Sequence, residues 1–504
     1  MLWIGVHGLE ERFFRNLELL ASLFYEEVKV RAATGEEEHV VQFHIIEEEK
    51  CCRAEVKLTR SKGEEEIVAS FAREWDVQME ENDKRKRRKQ TISAAFLHVY
   101  QQLTGVEQPW GILTGVRPVK LYHSFVQKGM SPTEIKALLT TDYLIHPSKV
   151  DLIEEIVERQ RTVLPDLYEI DQEISLYIGI PFCPTKCAYC TFPAYAIRGR
   201  NGSVEEFLLG LQEEVRSLGE WIREKNLRVT TIYFGGGTPT SITAEQMEEL
   251  FIEMERSIPG FHEVRELTVE AGRPDTLSPD KIELMKKWKV DRISINPQSF
   301  KEDTLKLIGR HHTVKETLEK YQLAMEMGLT NINMDLIIGL PNEGVSDFAR
   351  SLEIVDKLRP ESITVHTLSF KRGSHMSQNK TKYTVADRYE TAEMVQMARD
   401  WTIEKGYVPY YLYRQKNILG NQENVGYALP SRESLYNILI MEERQTIIGL
   451  GCGAVSKIVT PGTGAIDRLP NPKEPQAYID TYREHIQEKI AKLNEIYAEK
   501  PPTV

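Results

Sequence analysis

Tyr177-Ile178-Gly179-Ile180-Pro181-Phe182-Cys183-Pro184-Thr185-Lys186-Cys187-Ala188-Tyr189-Cys190 is a β-branched run that breaks into a loop bearing three cysteines spaced CxxxCxxC. Short β-branched runs recur downstream: Ile174 to Ile180, Val229 to Phe234, Glu266 to Glu270, Arg292 to Asn296, Asn331 to Ile338 and Ser362 to Leu368. Amphipathic segments with helical spacing alternate with them, at Val204 to Lys225, Ala244 to Ser257, Pro279 to Trp288, Val314 to Met327 and Val345 to Leu358. Strand and helix in repetition mean right-handed crossovers and a parallel sheet, so the fold class is α/β, a partial (β/α)6 barrel over residues 169–376. In such architectures the site gathers at the C-terminal ends of the strands, where the cysteine loop lies.

The flanks read differently. Extended stretches at Val40 to Ile46 and Ala54 to Leu58, then helical spacing at Ile92, Phe96, Val99 and Tyr100, predict an α+β N-terminal accessory region over 1–168. Pro109 to Pro118 is a turn-rich loop with no evident chemistry. Lys84 to Lys89 (KRKRRK) is a basic run, either a solvated helix face or an RNA contact. Beyond 376, a helix over Ala386 to Lys405, a tyrosine cluster (Tyr407, Tyr410, Tyr411, Tyr413), a glycine-rich turn Gly449 to Gly453 and a helix from Glu474 to Ala498 predict a small C-terminal cap domain, 377–504.

The chain has 504 residues and a net charge of −12, which argues against a protein devoted to nucleic acid phosphates. Met1 to Val6 is too short for a signal-peptide core and no later run reaches the length of a spanning helix, so the expected location is the cytoplasm, with no membrane partner. Six cysteines are too few for a disulfide framework. Cys51, Cys52 and Cys452 read as small buried apolar residues, and Cys183, Cys187 and Cys190 as metal ligands. A structural zinc site wants four closed ligands, and no fourth Cys or His stands nearby. Three thiolates on an iron–sulfur cubane leave one iron open to chelate a cofactor. Zinc and chance spacing remain as the other readings.

With Phe234-Gly235-Gly236-Gly237-Thr238-Pro239-Thr240 after the second strand, the cysteine stretch resembles the radical S-adenosylmethionine (SAM) enzymes, and more narrowly their oxygen-independent coproporphyrinogen III oxidase-like branch. The resemblance covers roughly 172 to 470, and the long N-terminal addition resembles the HemZ-type members. It implies a 4Fe-4S cluster and SAM as cofactors, with a 5′-deoxyadenosyl radical formed by one-electron cleavage of the sulfonium. It implies further that Tyr177, Gly236, Gly237, Thr238, Glu270, Gln298, Arg310 and Asp335 bind the cofactor: the glycines near the amino group, Glu270 on ribose hydroxyls, Arg310 forked onto the carboxylate. Catalysis then rests on cluster and radical rather than on a side chain.

The resemblance implies oxidative decarboxylation of coproporphyrinogen III propionates to vinyl groups, a tetrapyrrole substrate, and a low-potential flavodoxin- or ferredoxin-like electron donor. Lys371, Arg372, Arg414 and Lys416 are candidate cations for the substrate carboxylates. The chain departs from the pattern at three places. Phe192 stands where the oxidase pattern has a fourth cysteine, as in the chaperone-like branch. Glu423-Asn424-Val425-Gly426-Tyr427 replaces that branch's His-Asn-x-x-Tyr, and Gly179 replaces the usual histidine of Tyr-x-His-x-Pro. A haem-trafficking chaperone without decarboxylase activity and a radical SAM tRNA-modifying enzyme are the alternative functions.

Overall fold

Along Cys51–Arg60, Cys52, Ala54, Val56 and Leu58 are buried while the residues between them are not, the period-2 pattern of a sheet covered on one face. The computed structural model containing this strand describes residues 1–498 other than 61–65, 116, 193, 198–201, 372, 380–381 and 461–462. The chain divides into two units, Met1–Glu155 and Ile156–Val504.

In the first unit, β1 (Leu2–His7), α1 (Phe14–Ala21), β2 (Val28–Ala32), β3 (His39–Glu47), β4 (Cys51–Arg60) and β5 (Glu66–Glu74) form a sheet in the order β2-β1-β3-β4-β5. β1 pairs parallel to both β2 and β3, an arrangement the extended stretches between residues 27 and 72 did not announce. α2 (Glu81–Thr104) buries Ile92, Phe96, Val99 and Tyr100 in the same apolar core as Val41, Val56 and Leu58. The basic run lies in its first turns, where Arg85 pairs with Glu81 (3.6 Å), Arg87 with Asp142 (3.4 Å) and Arg88 with Glu47 (2.9 Å). Three of its six cations are thus held by carboxylates of their own unit, the pattern of a solvated helix face. α3 (Pro118–Gln127) and α4 (Pro132–Thr141) follow, and the division between the units falls within α5 (Pro147–Val163). The loop before α3, of which Val116 lies outside the described residues, is structural: Trp110 is fully buried, and a Cβ on Gly111 would stand 2.1 Å from the Tyr143 carbonyl oxygen.

The second unit is built on β6 (Ile174–Ile180), followed by the paired two-residue strands β7 (Phe182–Cys183) and β8 (Tyr195–Ala196), then α6 (Val204–Glu224), β9 (Val229–Gly236), α7 (Ala244–Ser257), β10 (Glu266–Val269), α8 (Pro279–Lys287) and β11 (Arg292–Ser294). After these come α9 (Glu302–Leu307), α10 (Val314–Glu326), β12 (Ile332–Ile338), α11 (Val345–Leu358), β13 (Ser362–Thr367), α12 (His375–Gln378), α13 (Arg388–Glu404), β14 (Val408–Tyr413), β15 (Asn424–Ala428), α14 (Leu435–Glu442), β16 (Thr446–Gly451), β17 (Val455–Val459), β18 (Ile466–Pro470) and α15 (Pro475–Ala498). The six expected strands are consecutive and parallel, within one eleven-stranded sheet ordered β14-β15-β13-β12-β11-β10-β9-β6-β16-β17-β18. The fold is therefore mixed α/β with a large parallel sheet, and the sheet's open strand order gives a partial rather than a closed barrel.

C-terminal strands extend both edges. β15 and β14 add antiparallel beside β13, whereas β16 runs parallel to β6 as a seventh parallel strand. That last pairing accounts for Gly179. Gly179 and Gly451 lie opposite each other, and a Cβ on Gly179 would meet the Cys452 carbonyl oxygen at 3.0 Å and the Ala454 methyl at 3.3 Å. A histidine there would press its Cβ on that carbonyl and crowd β16. Among the described residues no helix is long and apolar enough to cross a membrane.

Candidate active site

The cysteine loop leaves β6 and is clamped on three sides. Ala188 N donates to the Ile308 carbonyl (2.9 Å), Thr185 Oγ1 to the Gly309 carbonyl (3.0 Å), and the Ala188 carbonyl accepts from Met376 N (2.9 Å). On the β9 side, Gly237 N donates to the Ile180 carbonyl (2.8 Å) and Thr238 N to the Phe182 carbonyl (2.7 Å), while Thr238 Oγ1 lies 3.3 Å from Cys183 Sγ. The glycines are needed for this approach. Gly236 has φ 109°, and Cβ atoms on Gly236 and Gly237 would stand 2.8 Å and 2.6 Å from those same carbonyl oxygens.

Burial raises the Cys183 thiol to about 11 and also raises that of Cys190; the neighbouring cysteine sulfurs add to the effect. Neutral thiols close to one another suit deprotonation by a metal. Among the described residues no three His, Cys, Asp or Glu side chains stand at ligating distance as they are placed here. The donor set of the loop, three thiols on a clamped turn with no fourth protein donor in the sequence nearby, fits a cubane with one open iron.

Of the residues the resemblance singled out, Gly236, Gly237 and Thr238 end β9 or follow it, Glu270 and Gln298 follow β10 and β11, Tyr177 and Asp335 lie within β6 and β12, and Arg310 follows α9. Tyr177 belongs to a ring stack with Tyr233 (centroids 6.2 Å apart) and Tyr436 (6.3 Å), the latter two 4.2 Å apart. Glu270 accepts from Tyr233 OH at 2.5 Å, and burial followed by the charge of Asp335 lifts its carboxyl to about 7. A Cβ on Gly235 would touch both Glu270 Oε2 and the Tyr177 ring at 3.0 Å, so this glycine keeps the space between them open.

Gln298 sits in the left-handed region at φ 66°, its backbone bonded to Asp335 O (2.9 Å) and Ile337 N (3.0 Å), with its buried Oε1 lacking any partner. A left-handed backbone and a buried acceptor without a partner thus coincide at this residue. Asp335 is surrounded: Asn296 Nδ2 (2.9 Å), Asn333 Nδ2 (2.7 Å) and His366 Nε2 (3.4 Å) reach its oxygens. Burial alone would raise its carboxyl, but His366 and the hydrogen bonds outweigh it and hold it below the usual carboxylate range.

Arg310 is buried, with Nη2 donating to the carbonyls of Gly272 (2.8 Å) and Asn296 (2.7 Å) and Nη1 to Tyr189 OH (3.4 Å). Only its Nε is unpartnered. A two-pronged fork onto a ligand carboxylate would therefore require Nη2 to give up these carbonyls. Buried Arg273 grips Asp275 through two 2.9 Å bonds and donates to Thr185 Oγ1 (3.0 Å), tying the end of β10 to the cysteine loop. Tyr233, Asn296, His366 and Arg273 escaped the sequence reading; the one available signal was their position just inside or just beyond predicted strands.

Of the proposed substrate cations, Lys371 Nζ lies over the Phe192 ring at 5.7 Å, and burial lowers its pKa. Arg414 is buried against Asn421, Lys416 is exposed, and Arg372 lies outside the described residues. Asn424 is part of β15, its side chain accepting from Thr367 N (2.9 Å) and donating to the Tyr413 carbonyl (3.1 Å). Cys52 and Cys452 are buried, and burial pushes their thiols up to about 11 and 12; Cys51 is half-buried.

An iron–sulfur loop at the head of a parallel sheet, with polar residues ranked along the strand ends, defines a radical SAM protein, and the radical SAM superfamily model matches residues 177–355. The cofactors of that family are a 4Fe-4S cluster and SAM. Over 497 residues the chain is 54% identical to the oxygen-independent coproporphyrinogen-III oxidase-like protein HemZ of Bacillus subtilis, covering 98% of this chain and 97% of that one. This chain belongs to that HemZ family of haem metabolism. It is also 30% identical over 325 residues to the haem chaperone HemW of the same organism, covering 63% of this chain and 80% of the relative. The solved structure of coproporphyrinogen III oxidase (HemN) from Escherichia coli superposes with a TM-score of 0.50 at 21% identity, over 65% of this chain and 73% of that one. That match is a likeness of fold.

Proposed function

We propose that this protein is a cytoplasmic radical SAM oxidoreductase that decarboxylates the propionates of coproporphyrinogen III to vinyl groups, giving protoporphyrinogen IX. The observation that carries the reading is the three-thiol loop, together with the unpartnered buried Gln298 Oε1 and Arg310 Nε, in a chain 54% identical to an oxidase-like relative. Cys183, Cys187 and Cys190 would hold the cluster, and Tyr177, Gly236, Gly237, Thr238, Glu270, Gln298, Arg310 and Asp335 would hold SAM. When bound, the pair supplies hydrogen-atom abstraction from carbon.

The residues do the rest by binding and exclusion. Gln298 Oε1 and Arg310 Nε offer an acceptor and a donor to a zwitterion. Asp335, kept ionised by its three neighbours, and Glu270, placed by Tyr233, offer carboxylates to ribose hydroxyls. The stacked Tyr177, Tyr233 and Tyr436 would present ring faces beside Glu270. Residues 1–168, 169–376 and 377–504 would serve as accessory region, radical core and cap.

Anaerobic incubation of reconstituted protein with SAM, a reductant and coproporphyrinogen III tests the proposal. Vinyl product is expected; SAM cleavage with no vinyl product rejects it. The chaperone reading draws on Phe192 in the place of a fourth cysteine and on the 30% identical HemW relative, and it requires stoichiometric haem binding with a Soret band. Against it, the segment aligned with the chaperone's His-Asn-x-x-Tyr is a buried strand with Glu423 in the place of the imidazole.

A further inference from the structure

Glu270 and Asp335, the two carboxylates offered to ribose hydroxyls, are each held by a residue of the parallel strands: Glu270 by Tyr233 of β9, Asp335 by His366 of β13. Each of those holders is braced in turn by a tyrosine from beyond residue 376. Tyr436, the second residue of α14, lays its ring 4.2 Å from that of Tyr233 at an interplanar angle of 18°. Tyr413, the last residue of β14, brings its hydroxyl to 3.1 Å from His366 Nδ1.

Both braces are fixed from their own side. α14 is anchored on Glu266, the first residue of β10, whose buried carboxylate accepts from Ser434 Oγ (2.8 Å), Leu435 N (2.7 Å) and Tyr436 N (3.2 Å). These are the capping hydroxyl and the first free amides of the helix, where a carboxylate is favoured. The anchor therefore grips the backbone of the residue whose ring stacks on Tyr233. Tyr436 is 3% exposed and its hydroxyl has no hydrogen-bond partner among the described residues, so the ring is placed by this anchor and by stacking, not by a polar contact of its own. On the other arm, burial pushes the Tyr413 hydroxyl up and keeps its proton on. A phenol donating to Nδ1 leaves the imidazole proton on Nε2, the nitrogen 3.4 Å from Asp335 Oδ2. Tyr413 itself is paired with Asn424 of β15.

We infer that Tyr436 and Tyr413 are positioning residues for the cofactor, through which α14 and β14 fix the two carboxylates by way of Tyr233 and His366. The inference rests on the assignment of SAM to this site made above. The chain beyond residue 376 is then a working part of the cofactor site, not only its cover.

Full-length protein with its cluster reconstituted and oxidised, which has no electron to cleave SAM, is titrated with SAM by calorimetry. Tyr436→Leu should weaken binding about tenfold at pH 8, the worth of one misplaced charge-assisted hydrogen bond, and the loss should shrink toward pH 6. The pH dependence comes from Glu270, which is faced by Tyr177, Tyr233, Asp335 and Tyr436 from β6, β9, β12 and α14. Burial first, and then the charge of Asp335, holds it at about 7, so the parent has lost most of its ionised acceptor at pH 6, whereas water admitted beside Leu returns the carboxyl toward its ordinary range. Tyr436→Phe keeps the ring and drops only the unpartnered hydroxyl, and should bind within about twofold of the parent. Tyr413→Phe leaves the pairing of β14 intact and should weaken binding about fivefold, which tests the second arm even where Tyr436→Leu does not fold. A loss in Tyr436→Leu that is equal at every pH, or a Tyr436→Phe protein as weak as Tyr436→Leu, overturns the role of the ring. A parent that binds SAM while the folded Leu and Tyr413→Phe variants bind it as tightly overturns the inference alone. A parent that binds no SAM overturns the cofactor assignment, and this inference with it.

Discussion

Lys489→Met should destabilise the unit that houses the site by about 3 kcal/mol, and Glu214→Gln by nearer 5. Glu214 and Lys489 are 1% and 2% exposed, with Lys489 Nζ 2.5 Å from Glu214 Oε1. The carboxylate also accepts from Gly451 N (2.8 Å), Asn471 Nδ2 (3.0 Å) and Tyr478 OH (2.7 Å). The ammonium has one further acceptor, the Gly449 carbonyl (2.5 Å). At that separation and an effective dielectric of 20 the Coulomb attraction is about 7 kcal/mol, much of it offset by the desolvation of two ions. Removing one partner forfeits the attraction and leaves the other's desolvation uncompensated. The orphaned carboxylate keeps three neutral donors and the orphaned ammonium keeps one acceptor, which sets the order of the two costs. Glu214→Gln combined with Lys489→Met should recover most of the loss, because no buried charge then remains. Guanidinium denaturation gives the free energies, and hydrogen exchange along α15, whose Asn494 Oδ1 accepts from Trp221 Nε1 of α6 (3.0 Å), locates the loosening. A Lys489→Met protein within 1 kcal/mol of the parent, or a double variant no better than the singles, would refute the reasoning.

Three further outcomes are expected. Cys187→Ala should abolish iron retention and SAM cleavage while leaving circular dichroism unchanged, because the sheet core does not rest on the loop; SAM cleavage at the parent rate would count against the ligand assignment. Glu270, held at about 7 against an ordinary 4.5, contributes stability that is whole below 4.5 and lost as the pH rises through 7. At about 1.36 kcal/mol per pH unit, and allowing for partial solvent access, ligand-free Glu270→Gln should gain about 2–3 kcal/mol on the parent between pH 4.5 and 7.5, and parallel stability curves would contradict this. Gly179→His, which restores the pattern seen elsewhere in the family, should fail to fold or lose several kcal/mol because it drives a side chain into the Cys452 carbonyl; a stable, fully active variant would show that β16 does not press on β6.

The six parallel strands were legible within a residue or two because a strand buried on both faces reads as a short run rich in apolar and β-branched residues, as Ile174 to Ile180 and Ile332 to Ile338 do. β16 was not. Thr446-Ile447-Ile448-Gly449-Leu450-Gly451 carries the same apolar signal, but its glycines look like a turn, and the cause of Gly451 lies some 270 positions earlier in the chain. Gly451 must meet the Gly179 backbone, where a Cβ would stand 2.4 Å from its carbonyl oxygen, and Gly449 must pass Val455 at 2.9 Å. A glycine that makes room for distant backbone cannot be told from one that turns the chain until the pairing is known.

The site divides the same way. Cys183, Cys187, Cys190 and the Gly236-Gly237-Thr238 run were readable because residue type and spacing within one short stretch mark them. Asn296, His366 and Tyr233 were not, since each acquires its meaning from a carboxylate on another strand: Asn296 and His366 from Asp335, Tyr233 from Glu270. These three decide the chemistry of the two carboxylates. Asp335, with two amides and an imidazole around it, is held ionised, whereas Glu270, with one phenol and a neighbouring negative charge, is left to titrate near neutrality. Two carboxylates, one just past β10 and one within β12 of the same sheet, thus feel each other's charge yet have opposite proton affinities, and that difference was written into their neighbours rather than into their own positions.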